Sequence, residues 1–188
     1  MKDKVTIRDI AGFCPEEAVW KMMTDVSAFL LKEGAGYVLT PDAIVVDGKM
    51  FMVEKESETQ NEFLAPEQHD NRPIDDSQMV WSLGAVAYYA ATGHVVFGGH
   101  GGNYQSEHPS VALPTLPKGL QLLTPVLQKC LCYIPDERIS MMELNALSLK
   151  GLAACGQRQR KKCAEIASEQ KKTVKTIGEK WPEEMMEQ

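Results

Sequence analysis

Ser77-Gln-Met-Val-Trp-Ser-Leu-Gly-Ala-Val-Ala-Tyr-Tyr-Ala-Ala-Thr-Gly93 is the stretch on which the fold turns. Met79, Val80, Leu83, Ala85, Val86, Ala87, Tyr88, Tyr89, Ala90 and Ala91 leave no polar face at helical spacing. A helix that is apolar all round belongs in an interior, and Gly93 stands where such a helix ends. A buried central helix requires other elements to wrap it, so the flanking sequence is read for partners.

Upstream, Thr6-Ile-Arg-Asp9 reads as a short helical start. Cys14-Pro15-Glu16-Glu17 opens a longer helix, with proline at its first position and acids in its first turn. Val19, Met22, Met23, Val26, Phe29 and Leu30 continue it at helical spacing until Gly34 and Gly36. Ala43-Ile-Val-Val46 and Lys49-Met-Phe-Met-Val53 flank Asp47-Gly48, which predicts a β-hairpin. Residues 54–62 are polar and read as a loop. Downstream, the Gly/Pro-rich residues 98–117 read as a long loop containing Gly98-Gly-His-Gly-Gly102. Leu120, Leu122, Leu123, Val126, Leu127, Cys130 and Leu131 mark another helix, and Ser140-Met-Met-Glu143 is a capping box opening the next. The expected fold is mainly α with one small β-hairpin.

The chain has 188 residues, 44% hydrophobic and 24% charged, enough to bury a core without disulfides. Five cysteines, at 14, 130, 132, 155 and 163, form neither a disulfide framework nor a zinc spacing. They are read as reduced thiols, with a cytoplasmic location expected. The N-terminus lacks a long apolar run and no segment reaches the length of a membrane span, so neither secretion nor membrane insertion is expected. Net charge is −6, which disfavours nucleic acid as a partner. Residues 157–188 hold eight Lys/Arg against six Glu, which leaves residues 1–156 with twelve basic and twenty acidic side chains. An acidic domain over 1–156 and a charged, helical or partly disordered tail over 157–188 are the expected divisions.

Several motifs, in this order, resemble the C-terminal lobe of a eukaryotic-type protein kinase. Phe63-Leu-Ala-Pro-Glu67 resembles the motif that closes the activation segment. Val80-Trp-Ser-Leu-Gly84, continuing to Ala91-Thr-Gly93, resembles the buried central helix, and Pro135-Asp-Glu-Arg-Ile-Ser140 resembles the segment carrying the family's structural arginine. The resemblance covers roughly residues 5–150. It implies a kinase C-lobe-like helical domain with Trp81 inside and with Glu67 paired to Arg138, a pairing that suits a guanidinium in a partly buried place.

The same resemblance locates a catalytic set that has been erased. Gly36-Tyr-Val-Leu-Thr-Pro-Asp-Ala43 stands where the family's catalytic loop would be. Val38 replaces the base aspartate and cannot accept a proton. Ala43 replaces the metal-binding asparagine, and Thr40 replaces the lysine. Glu54-Lys-Glu56 aligns with the metal-binding Asp-Phe-Gly, so Asp42 and Glu54 are the carboxylates remaining near these degenerate positions. Neither a Gly-rich loop nor a strand lysine precedes them, so no nucleotide or metal cofactor is expected. The reading is a pseudokinase fragment, similar in plan to the kinase non-catalytic C-lobe domain of Spire-type actin nucleators. That group implies protein binding through an acidic groove that receives a basic peptide. The candidate surface is residues 36–62, the face a nucleotide-binding lobe would cover. It would be rewired, filled by the chain's own tail, or held by a partner.

Two rival readings accompany this one: half of a split phosphotransferase completed by a separate nucleotide-binding lobe, and a homodimer through the uncovered face. Minor candidates have plainer alternatives. Asp42, Glu54 and Glu56 form either a residual cation site or solvated loop acids. The 98–102 glycines form either an anion nest or a flexible loop. Histidines 69, 94, 100 and 108 lack a ligand spacing. Cys130 and Cys132 are read as inert thiols of an apolar helix. Arg158-Gln-Arg-Lys-Lys162 reads as a solvated basic patch or a contact for an acidic partner, and Trp181 as an anchor.

Overall fold

The computed structural model describes residues 4–55, 58–70 and 73–179, the side chains of 69, 70 and 174–179 excepted. Six α-helices run in the order α1 (Ile7–Ile10), α2 (Glu16–Glu33), α3 (Asp76–Thr92), α4 (Gly101–Glu107), α5 (Thr124–Cys130) and α6 (Met141–Glu179). Strands β1 (Ile44–Asp47) and β2 (Met50–Val53) form an antiparallel pair between α2 and α3, and short 3-10 turns join the rest. Contacts divide the chain at Leu152/Ala153, so that α6 begins in the first unit and continues as the second. No helix among the described residues is long and apolar enough to cross a membrane.

α3 is the centre of the first unit, buried from Gln78 to Tyr88. Its N-terminus is closed by Asp75, whose carboxylate accepts from Gln78 N at 2.9 Å while the Gln78 side chain accepts from Asp75 N at 3.1 Å. This reciprocal cap satisfies two backbone donors at the start of the helix. Gly93 ends the helix in the left-handed conformation, at φ 74°. Gly84 is the point of closest helix approach: a Cβ there would lie 2.6 Å from Cys130 Cβ, so only glycine lets α5 seat against α3.

α2 starts one residue later than its proline suggests, with Pro15 as the cap rather than the first helical residue. It carries the hairpin: Asp25 takes Lys21 Nζ at 2.5 Å and accepts from Phe51 N at 3.1 Å. The hairpin also differs from its expected register by one residue. Asp47 pairs with Met50, so the turn is Gly48-Lys49. Gly48 has φ 59°, and glycine at the first central position is what a type II′ turn demands.

The 98–117 region is not a single long loop, because α4 rises within it directly after His100. Its opening glycines serve packing. A Cβ at Gly101 would lie 1.9 Å from Glu62 O, and one at Gly102 would lie 2.1 Å from Leu64 O. The helix therefore rests on the backbone of 62–65, a contact closed to any larger residue. Polarity and glycine content conceal such a helix from a periodicity reading.

The second unit, residues 153–179 as described, is the remainder of α6, with residues 157–173 exposed. Trp181 and the hairpin-following Glu56 lie outside the described residues.

Candidate functional site

Two constellations carry the chemistry that the sequence singles out. The first is the Glu67–Arg138 pair. Glu67 enters from the 3-10 turn Pro66–Asp70, and Arg138 follows the 3-10 turn Pro135–Glu137. Both terminal nitrogens of the guanidinium donate to the carboxylate, Nη2 to Oε2 at 2.7 Å and Nη1 to Oε1. Nε donates to Cys132 O at 2.7 Å, Nη2 to Tyr133 O at 3.0 Å and Nη1 to Ser77 O at 3.2 Å. The Arg138 side chain is 0% exposed and that of Glu67 is 20% exposed. One side chain therefore ties the 66–70 segment, the start of α3 and the 132–133 turn together, and the buried charge is satisfied on all sides.

Trp81, 0% exposed, donates from Nε1 to Gln105 Oε1 at 2.8 Å, and Gln105 Nε2 donates to Leu131 O at 2.7 Å. Gln105 is the residue that sequence reading missed. It sits on a helix hidden by its glycines, and nothing in the local pattern distinguishes a buried glutamine from a surface one.

The second constellation surrounds the degenerate catalytic positions. Pro41, Asp42 and Ala43 form the turn before β1, held by Ala43 N donating to Thr40 Oγ1 at 3.2 Å. Ala43 is fully buried, and Val38 is half-buried in the preceding irregular segment. Asp42 is not a free loop acid. Arg8 Nε donates to both of its carboxylate oxygens at 2.8 Å, and Gln60 Nε2 donates to Oδ2 at 2.6 Å. Arg8 Nη2 also reaches Gln60 Oε1 at 2.5 Å, and its guanidinium lies 5.8 Å from the centre of the Tyr89 ring. The Arg8 hydrogen bond holds the Asp42 carboxyl below the usual carboxylate range; partial burial opposes this and Gln60 assists it. Glu54 is likewise taken, by Lys4 Nζ at 2.6 and 2.9 Å.

The 36–62 face is therefore not bare. Residues 4–8 lie along it, with Val46 N donating to Val5 O at 2.8 Å and Thr6 bridging Val45, while Gly12 N donates to Ala90 O of α3 at 2.9 Å. Ile7 is wholly buried. The covering segment precedes α2 in sequence. Asp42 and Glu54 are drawn to different cations, and no cluster of three His, Cys, Asp or Glu suited to a metal occurs among the described residues.

The remaining candidates are dispersed. Cys130 closes α5, and burial pushes its thiol up to about 12, so it holds its proton. Cys132 lies beyond the helix, half-exposed, with Sγ 3.8 Å from Glu137 Oε2. His108 stacks on Tyr104 at 4.2 Å between ring centres. Of the 98–102 glycines, Gly98 and Gly99 precede α4 and Gly101 and Gly102 open it, a helix of only seven residues.

Open grooves mark the surface of the first unit. One, of about 470 Å³, is lined by Pro66, Glu67, Tyr133, Ile134 and Pro135, with Ile134 46% exposed. Asp136 and Glu137 follow its wall directly in sequence, and Asp75 and Asp76 precede Ser77, whose hydroxyl donates to Pro135 O at 3.2 Å. No known family model matches this chain, and no curated protein is significantly similar to it.

Proposed function

We propose that the chain is a noncatalytic protein-binding module built on a plan like the C-lobe of a protein kinase. The observation that carries the reading is the state of the two acids left near the degenerate catalytic positions. Phosphoryl transfer needs carboxylates free to hold metal and a group to orient the attacking hydroxyl. Here Asp42 is held by Arg8 and Gln60, Glu54 is held by Lys4, and Val38 and Ala43 offer no ligand atom. The buried Trp81 and the Glu67–Arg138 pair support the same plan, because they are the scaffold features that the resemblance implies. An intact buried frame beside carboxylates already taken by cations favours recognition over chemistry.

The groove at Pro66, Tyr133, Ile134 and Pro135 is the binding surface this reading favours. It joins an exposed apolar floor to neighbouring acids, in a domain with twelve basic and twenty acidic residues over 1–156. An extended peptide combining an apolar anchor with Lys or Arg is its fitting ligand.

The test has two arms. Differential scanning fluorimetry with ATP and magnesium is expected to leave the melting midpoint unchanged, and a dose-dependent rise would overturn the noncatalytic reading. Fluorescence anisotropy with a panel of labelled basic-apolar peptides is expected to show salt-sensitive binding that Ile134→Asp removes. Binding by none of the panel, or binding indifferent to Ile134, would overturn the groove assignment.

A further inference from the structure

Over its first turns, α6 is apolar on two faces. Met141, Leu144 and Ser148 are buried in the first unit. Met142, Ala146 and Leu149 follow the i, i+4, i+7 spacing of a second face. That second face is exposed, with Met142 at 71% and Leu149 at 50%. A helix that already buries one face has no folding reason to be apolar on another, and exposed apolar patches mark association surfaces. A groove of about 410 Å³ runs beside this face, and Lys129, Glu137, Glu143, Ala146 and Leu147 are among its lining residues.

We propose that this face joins a second copy of the chain, with two α6 helices packed antiparallel about Ala146. Three features on the helix agree on that occupant. Met142 and Leu149 are placed almost symmetrically about Ala146, so an antiparallel twofold sets each Met142 against the other copy's Leu149. Ala146 then meets Ala146 at the crossing, where a small side chain allows the axes to close to the 8–10 Å of packed helices. Glu143 and Lys150, seven residues apart, share one flank of the helix. The antiparallel arrangement therefore brings each Glu143 to the other copy's Lys150, twice in one interface, which is the self-complementarity of an isologous contact. Glu143 is prepared for this role. Its Oε2 accepts from Ser140 N at 3.1 Å and from Ser140 Oγ at 2.9 Å, which leaves Oε1 for the incoming ammonium. The groove receives the stem of that lysine, with Glu137 as a second acid and Lys129 balancing one of the two. None of the residues of this helix face lines the proposed peptide groove, although Glu137, which lines the groove beside the face, closely follows the wall of the peptide groove in sequence.

Three turns of helix make a contact smaller than a standard interface, so the dimer is concentration-dependent. Sedimentation equilibrium of the full chain, from low micromolar to several hundred micromolar, reads it directly. The mass is expected to rise from 20.9 kDa towards twice that value. Leu149→Glu is expected to raise the dissociation constant at least roughly tenfold, since it sets a charge against the other copy's Met142 at both ends of the contact. Lys150→Glu is expected to weaken it less and to make it respond to salt. Met50→Glu, at the exposed outer face of the hairpin, is the control and leaves the mass unchanged. All three positions are exposed, and an unchanged circular dichroism melt confirms folding. A monomer mass across the whole range overturns the proposal. So does a dimer that survives Leu149→Glu, because it would then use another face.

Discussion

Two carboxylate–guanidinium pairs, each with several hydrogen bonds, occupy opposite roles in this molecule. Glu67–Arg138 joins residues 71 positions apart, and the arginine side chain is 0% exposed. Asp42–Arg8 joins residues 34 positions apart, with the two side chains 35% and 42% exposed. The local chemistry is nearly the same, so the difference lies in solvent. At Arg138 water has been replaced by three backbone carbonyls and a carboxylate, and removal of either partner strands a charge. At Arg8 water stands ready to replace whatever is lost. The first pair is a staple of the fold, and the second is a latch that holds the 4–8 segment across the hairpin.

The largest expected effect breaks the staple. Arg138→Ala leaves Glu67 without its partner and uncovers the carbonyls of Ser77, Cys132 and Tyr133. A loss of about 3–5 kcal/mol follows from removing one member of a buried pair. In a protein of this size that is a fall in melting midpoint on the order of 10 °C. Arg138→Lys sharpens the comparison, because it keeps the charge while giving up the fork, and it is expected to recover only part of the loss. Urea denaturation of the three proteins measures both. An Arg138→Ala midpoint no lower than that of Asp42→Asn would show that burial does not separate the two pairs.

A neutral counterpart to the staple gives the next effect. Gln105→Leu keeps approximate volume but removes the acceptor for Trp81 Nε1 and the donor for Leu131 O. Each buried group left unsatisfied costs about 1–3 kcal/mol, so the variant is expected to fall between the Arg138 and Asp42 variants. The same urea titration ranks it. A shift smaller than that of the Asp42 variant would mean that the Trp81–Gln105–Leu131 chain relaxes or admits water.

The contrast between the pairs also explains what the sequence made legible. The buried helix α3 was readable because burial on every face leaves a compositional trace, and the Glu67–Arg138 pair, expected only from a resemblance of sequence, is formed in the structure. Asp75-x-x-Gln78 carries the capping signal of α3 in the sequence itself. Arg8 and Asp42 leave no such trace, since two charges 34 residues apart obey no period and ordinary surface charges look the same. α4 was hidden for a different reason. Gly101 and Gly102, which read as loop residues, are required by contact with a distant backbone. The hairpin turn differs by one residue because Asp-Gly and Gly-Lys both suit a two-residue turn, and the pairing of Asp47 with Met50 places it at Gly48-Lys49.

The smallest effect tests the latch. Asp42→Asn removes the charge but keeps the size, so Gln60 and the turn before β1 retain a polar neighbour. With both side chains more than a third exposed, solvent screening limits the loss to about 0.5–1 kcal/mol at neutral pH. The pH dependence is the more telling readout. Arg8 lowers the Asp42 pKa in the folded state, so the group's contribution is fully present above the unfolded value of about 4 and is lost as pH falls through the depressed folded value. Wild type is therefore expected to converge on Asp42→Asn as the pH drops from 5 towards 2, with the gap between their urea midpoints closing over that interval. Hydrogen exchange supplies the structural half of the test. The amide of Val46, bonded to Val5 O, is expected to lose protection in Asp42→Asn while the amides of α3 keep theirs. If α3 loses protection equally, the 4–8 segment is part of the same cooperative unit as the staple, and the distinction between latch and staple falls.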